Sequence, residues 1–148
     1  MSCEVWAVRH GETVWNALGK ISGWHDVDLS PQGEKMAQDV SGVLQGRRYD
    51  RVYSSDLIRA VRTAQLAGFD PIPQPQLREL NFGDIEGRVW QEMSPAEQQA
   101  VLDFDEFCIP GGERISEFEK RIYDFVDQLG PGRFLLFVHG GVLRSLLR

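Results

Sequence analysis

Phe134-Leu135-Leu136-Phe137-Val138-His139-Gly140-Gly141 decides how this chain folds. Its five leading apolar residues show no alternation, which marks a strand covered on both faces, as in a parallel sheet between helix layers. The same order (strand, His-Gly, candidate helix) recurs near the other end. There, residues 3–8 read as a strand and run into Arg9-His10-Gly11-Glu12-Thr13. Open α/β sheets bind ligands at the carboxyl ends of their strands. Two imidazoles from opposite ends of the chain can therefore meet in one crevice, provided the first and last strands are neighbours. Arginines accompany both halves, so the crevice is expected to be cationic and suited to a phosphate.

Between these ends, strand and helix signals alternate. A short helix is expected within residues 12–17. Ser30 caps a helix with Pro31 at its first position, where a missing N–H costs nothing. Met36, Val40, Val43 and Leu44 form its apolar stripe, and Gly46 ends it. Residues 49–54 read as a strand, with Ser54 or Ser55 capping a helix that reaches Ala67 and stops at Gly68. Pro71, Pro73 and Pro75 make residues 69–76 an extended connector. Residues 77–80 read as a brief strand before turns at Gly83 and Gly87. Ser94 and Glu97 form a capping box opening a helix over residues 95–107, broken by Pro110-Gly111-Gly112. A helix from Ser116 carries Phe118, Ile122, Phe125, Val126 and Leu129 on one face, and residues 142–147 begin a last helix. The alternation predicts a three-layer α/β/α sandwich with a mainly parallel sheet.

Length and composition agree with one domain over residues 1–148. Hydrophobic residues make up 42% and charged residues 26%, as in a globular protein, and the formal charge of -6 argues against a nucleic-acid partner. No apolar run approaches a membrane span. The start of the chain lacks a basic segment followed by an apolar one, so no signal peptide is expected. Cys3 and Cys108 have no metal-like spacing and read as reduced thiols of a cytoplasmic protein.

A neutral imidazole is nucleophilic near neutral pH and can accept a phosphoryl group. Guanidinium forks neutralise phosphate oxygens with paired hydrogen bonds, a task open to Arg9 and Arg59. The leaving alkoxide needs a proton, and Glu79 in Arg78-Glu79-Leu80-Asn81-Phe82-Gly83 is the best-placed acid, with Glu86 its rival. Bland readings stand beside these. His139 could be a satisfied core histidine, Arg59 a solvated helix arginine like Arg62, and His25 an exposed loop residue. A metal site from His10, His25 and His139 has no support in their spacing.

With those residues in place, the chain resembles the histidine phosphatase superfamily, whose members are similar to cofactor-dependent phosphoglycerate mutase. The resemblance rests on Arg9-His10-Gly11-Glu12-Thr13 with Asn16, Ser22-Gly23-Trp24, Leu29-Ser30 with Gly33, and Ser54-Ser55-Asp56-Leu57 with Arg59 and Thr63-Ala64. It continues through Leu77-Arg78-Glu79 with Glu86-Gly87, Pro110-Gly111-Gly112-Glu113 and His139-Gly140-Gly141, in family order. It implies His10 as the phosphorylated nucleophile. It implies Arg9, Asn16, Arg59 and His139 as phosphate ligands, Glu79 as proton donor, and Ser22 and Gly23 at the substrate border. It implies no metal and no cofactor. Arg114 departs from the serine many relatives have there.

The chain stops nine residues after His139. A final helix of eight residues is only about 12 Å long. The expectation is either a truncated form or a homo-oligomeric neighbour covering that side. Residues 89–113, where relatives build a lid, contain Glu92, Glu97, Asp103, Asp105, Glu106 and Glu113 but no Lys, Arg or His. A lid clamping a second phosphate should carry cations. Trp90, Met93, Leu102, Phe104 and Phe107 suit a small monophosphate with a weakly charged remainder, although aromatics of the 95–107 helix also read as plain core. The short form resembles the α-ribazole phosphatase branch. Phosphoglycerate mutase activity, a metal-dependent hydrolase and a non-catalytic phosphate- or protein-binding module are the alternatives.

Overall fold

The computed structural model describes residues 2–103 and 109–147. Cys108, Phe104, Asp105, Glu106, Phe107 and the end of the expected 95–107 helix lie outside the described residues. The elements are β1 (Cys3–Arg9), α1 (Val14–Ala17), α2 (Pro31–Leu44), β2 (Arg51–Ser54), α3 (Ile58–Leu66), β3 (Ile72–Pro73), α4 (Pro95–Leu102), α5 (Ile115–Asp127), β4 (Gly132–Val138) and α6 (Gly140–Leu146). The strands form one sheet in the order β1-β4-β2-β3, and all three pairings are parallel.

β4 is central because its sequence allows nothing else. Phe134 to Val138 are at most 4% exposed, and successive side chains of a strand point to opposite faces. Leu136 and Val138 pack with Phe118, Ile122 and Phe125 of α5 and Val142 of α6, joined by Val5 and Ala7 of β1. Leu135 and Phe137 pack on the other face with Leu44 of α2 and Ala64 of α3, joined by Trp6 and Val8. Helices therefore cover both faces, and an interior phenylalanine such as Phe137 contributes about 3–5 kcal/mol relative to alanine. An apolar groove of about 580 Å³, lined by Val5, Ala7, Val126, Leu143, Leu146 and Leu147, runs beside β1.

Local sequence signals account for most element ends. Ser30 accepts the Gly33 amide at the start of α2, with Pro31 in its first turn. Ser94 and Glu97 satisfy each other reciprocally at α4. Met36 and Val43 of the expected α2 stripe are exposed, so only Leu44 and Val40 of it pack inward, and three further expectations change. First, neither Ser54 nor Ser55 caps α3. The cap residue is Leu57, and the Ile58 amide donates instead to Asp26 Oδ1 at 2.7 Å, a carboxylate brought in from a distant loop. Second, residues 77–80 form no strand. Pro75–Leu77 is a single 3₁₀ turn, and the carbonyls of Gln76, Arg78 and Glu79, which a neighbouring strand would need, are taken by Arg121. Third, α6 begins at Gly140, ahead of Val142, because the first amides of a helix need no internal partner.

Candidate active site

β1 and β4 lie side by side in register, Arg9 opposite Val138, so the residues that follow them emerge at the same edge. His10 continues the ladder by donating its backbone N–H to the Val138 carbonyl at 3.1 Å. The His10 and His139 ring centroids are 5.1 Å apart, tilted by 57°.

Both rings are buried, His10 at 8% and His139 at 0% exposure. His10 Nδ1 lies 2.6 Å from the Gly11 carbonyl. A carbonyl can only accept, so Nδ1 carries the proton and Nε2 keeps its lone pair. Burial holds the His10 pKa down to about 3, assisted by the positive charges of Arg59 and Arg9 and opposed by the Gly11 contact. The ring is therefore neutral near pH 7. Burial, then the charge of Arg59, pushes His139 well below the usual histidine range too. Its Nε2 is 2.7 Å from Ser55 Oγ, while its Nδ1 is buried without a partner among the described residues.

The loop carrying His10 is held by close backbone approach. Gly11 donates to Thr63 Oγ1, which in turn donates to the Arg59 carbonyl. A Cβ on Gly11 would sit 2.4 Å from the Gly33 carbonyl oxygen, and one on Gly33 would sit 1.8 Å from that of Glu12. Only glycine lets the first turn of α2 rest on this loop.

Arg59, in the first turn of α3, is 1% exposed. Its Nη1 donates to the His25 carbonyl at 2.7 Å and its Nη2 to the Gly23 carbonyl at 2.6 Å. Its Nε is buried and unpartnered among the described residues. Burial lowers its pKa, with Glu79, Asp26 and Glu86 opposing, but an arginine stays protonated. Glu79 accepts the Leu80 amide on Oε1 at 2.8 Å and the Gly141 amide on Oε2 at 3.0 Å. Burial raises its pKa against these two bonds and the nearby Arg59 and Arg9 charges.

Arg9, His10, Glu12, Asn16 and Met36 line a cavity of about 370 Å³. Asn16 spends its side-chain oxygen on the Thr13 amide within the α1 capping box, which leaves its NH₂ end to offer an anion. A second cavity of about 280 Å³ is lined by Glu79, Leu80, Phe82, Val101, Gly140, Gly141 and Arg144. The structure thus gathers His10, His139, Arg9, Arg59, Asn16 and Glu79 around the carboxyl ends of β1 and β4. Ser22 and Gly23 belong to the loop that grips Arg59 through the Gly23 carbonyl. Ser22 Oγ is buried and unpartnered among the described residues.

Glu86, the rival acid, is committed elsewhere. It accepts the Trp24 and Phe82 amides and pairs with His25, which stacks on Trp15. Among the described lid residues, Met93 is buried and Trp90 packs on the core, while Leu102 is exposed. Sequence reasoning missed Ser55 as a partner of His139, because a serine before a helix reads as a cap. The available signal was its place directly after the strand read over residues 49–54, which the structure pairs with β4.

The sequence model for the histidine phosphatase superfamily (branch 1) matches residues 5–148. The chain belongs to the histidine phosphatase superfamily. Among curated relatives of this histidine phosphatase are phosphoglycerate mutase-like protein 4 and a metal-independent phosphoserine phosphatase, both of Arabidopsis thaliana. Each is 37% identical over 97% of this chain, covering 69% and 66% of their respective lengths. The crystal structure of phosphoglycerate mutase from Thermus thermophilus superposes with a TM-score of 0.89 at 45% identity, over 97% of this chain and 82% of that one. An Escherichia coli K-12 protein put forward as an alpha-ribazole-5'-P phosphatase gives 0.84 at 30% identity, over 99% and 78%. No helix among the described residues is long and apolar enough to cross a membrane.

Proposed function

We propose that this protein hydrolyses phosphate monoesters through a phosphohistidine on His10. The observation that carries the reading is the neutral His10 ring, its Nε2 lone pair unspent, 5.1 Å from a second imidazole beside the buried Arg59 guanidinium. His10 Nε2 attacks phosphorus as the ester P–O bond breaks. Arg9, Arg59, Asn16 and His139 hold the phosphoryl oxygens through the loose transition state. Ser55, whose oxygen receives the Leu57 amide at 3.3 Å, donates its hydroxyl proton to His139 Nε2. That leaves the proton of His139 on Nδ1, as a donor to the phosphate. Glu79, whose pKa burial raises, gives its proton to the leaving alkoxide. Water then attacks the phosphohistidine, Glu79 takes a proton from it, and inorganic phosphate departs.

For the substrate we infer a small monophosphate with a weakly charged remainder, and α-ribazole 5'-phosphate as its candidate. The absence of any Lys, Arg or His from residues 89–113 supports this, as do Leu80, Phe82 and Val101 around the cavity next to Glu79, whose lining among the described residues includes a single cation, Arg144.

The test is turnover of p-nitrophenyl phosphate with and without EDTA, alongside His10→Ala. The same protein is screened on α-ribazole 5'-phosphate, O-phosphoserine and 3-phosphoglycerate. Chelator-resistant hydrolysis abolished in His10→Ala is expected, with acid-labile, base-stable phosphate trapped on His10. EDTA sensitivity would favour a metal-dependent hydrolase, and a folded but inert protein a binding module. Mutase turnover of 3-phosphoglycerate exceeding hydrolysis would overturn the substrate reading.

A further inference from the structure

We propose that Arg121 and Glu113 are positioning residues that fix the Glu79 carboxyl where it can protonate the leaving group. The inference rests on the reading of Glu79 as general acid. Glu79 lies on an irregular stretch, where neither helix nor sheet bonds set the direction of its side chain. The Trp24 indole N–H donates to the Glu79 carbonyl at 2.8 Å and the Arg78 side chain is paired with Asp56, but most of the backbone bonds to this stretch come from one guanidinium in the middle of α5. Arg121 Nη1 donates to the Gln76 and Arg78 carbonyls, both at 2.7 Å, and Nη2 donates to the Glu79 carbonyl at 2.8 Å. Nη2 and Nε also reach the two carboxylate oxygens of Glu113, at 2.7 and 3.1 Å. All five N–H donors that an arginine possesses are thereby spent.

Glu113 closes the other side. Its Oε1 accepts the Asn81 amide at 2.9 Å, and its own amide donates to the Asn81 carbonyl at 3.1 Å. The backbone on both sides of Glu79 is thus clamped, from Gln76 to Asn81, by one ion pair. The pair is well shielded, with side-chain exposures of 18% for Arg121 and 14% for Glu113, and the guanidinium lies over the buried Phe118 ring. Anchored from behind in this way, Glu79 directs its carboxyl at the Leu80 and Gly141 amides, beside the helix that follows His139. Neither Arg121 nor Glu113 lines the cavity that contains His10. Arg121 also adds positive charge near His139, an effect common to all esters, so its positioning role is read through the acid.

A pair that merely stabilises the fold and a pair that positions an acid differ in one measurable respect. Proton donation matters for a basic alkoxide leaving group and little for p-nitrophenolate. The readout is therefore the ratio of kcat/KM for benzyl phosphate to that for p-nitrophenyl phosphate, two esters of similar size. Because both rates scale with the amount of folded enzyme, partial unfolding cancels from the ratio. Variants are Arg121→Gln and Arg121→Lys, whose ammonium has three donors and no planar fork. Glu113→Gln tests the other half of the clamp, and Glu79→Gln is the reference.

Loss of the acid itself is expected to cost about 10²–10⁴-fold on benzyl phosphate and far less on p-nitrophenyl phosphate. Misplacing it by about an ångström should lower the ratio by roughly tenfold in both Arg121 variants. A fall of more than about threefold, in the direction seen for Glu79→Gln, supports the inference. A ratio closer than that to wild type in the Arg121 variants, while Glu79→Gln falls, overturns it. An unchanged ratio in Glu79→Gln removes the acid assignment and this inference with it.

Discussion

Replacing His10 with asparagine is expected to make folding stability less sensitive to acid, even though it removes the proposed nucleophile. Asparagine keeps a side-chain N–H that can reach the Gly11 carbonyl, now 2.6 Å from His10 Nδ1. It removes only the titration. In the unfolded chain a histidine takes up a proton below about pH 6.5. In the folded protein the buried ring resists protonation down to about 3. Between those values the unfolded state binds more protons, so stability falls as pH falls. At 1.36 kcal/mol per unit, the step from about pH 7 to about pH 5 draws about 2 kcal/mol from this one ring. His139 contributes with the same sign. Glu79, whose folded pKa is raised, contributes with the opposite sign, because the native carboxyl gains its proton first. Both remain in the variant, so most of their contribution drops out of the comparison, apart from the small part of the His139 shift that His10 itself causes. Urea unfolding at the two pH values measures the difference directly. The wild type should lose about 2 kcal/mol more than His10→Asn over this interval. Equal losses, within about 0.5 kcal/mol, would mean that His10 is not held neutral by its surroundings.

Ser55→Ala leaves His139 Nε2 without its partner, and a fall of about ten- to a hundredfold in kcat/KM for p-nitrophenyl phosphate is expected with little change in fold. Circular dichroism would separate that loss from unfolding. Gly141→Ala would place a Cβ 2.3 Å from Glu79 Oε1, so the carboxyl of the proposed acid must move. Benzyl phosphate turnover should fall by about tenfold or more, and p-nitrophenyl phosphate turnover much less. Gly23→Ala meets Glu86 Oε2 at 2.0 Å and sits at φ +54°. Expelling Glu86 breaks its bonds to the Trp24 and Phe82 amides and frees the loop that grips Arg59. A loss of about 2 kcal/mol or more in denaturant unfolding, together with weaker inhibition by inorganic phosphate, is the expected result.

Much of the architecture was legible because it rests on local chemistry. The unbroken apolar run of β4, the Ser30-Pro31 start of α2 and the Ser94/Glu97 box each force one conformation on a few adjacent residues, and each is where the pattern put it. What stayed hidden depends on residues far apart in sequence. Ser55 serves His139 across 84 positions, and Asp26 caps α3 across 32. Arg121 reads as an ordinary polar residue beside the apolar face of α5 until the 76–79 backbone is laid against it. Residues 77–80 illustrate the same limit. Their apolar and charged residues suit a strand, but the arginine claims the carbonyls a strand would use.

Arg59 is a cation oriented by dipoles instead of counter-ions. Among the described residues it enters no ion pair, and the two groups that aim it are peptide carbonyls. A carboxylate in their place would have cancelled its monopole before any ligand arrived. Here the partial charges of the Gly23 and His25 peptides lock its plane, and the Glu79, Asp26 and Glu86 charges act on it without a direct ion pair, leaving its positive charge only partly offset in a low-dielectric setting. The cost of burying that charge is incurred during folding, so an incoming dianion meets an attraction that water has already ceased to screen.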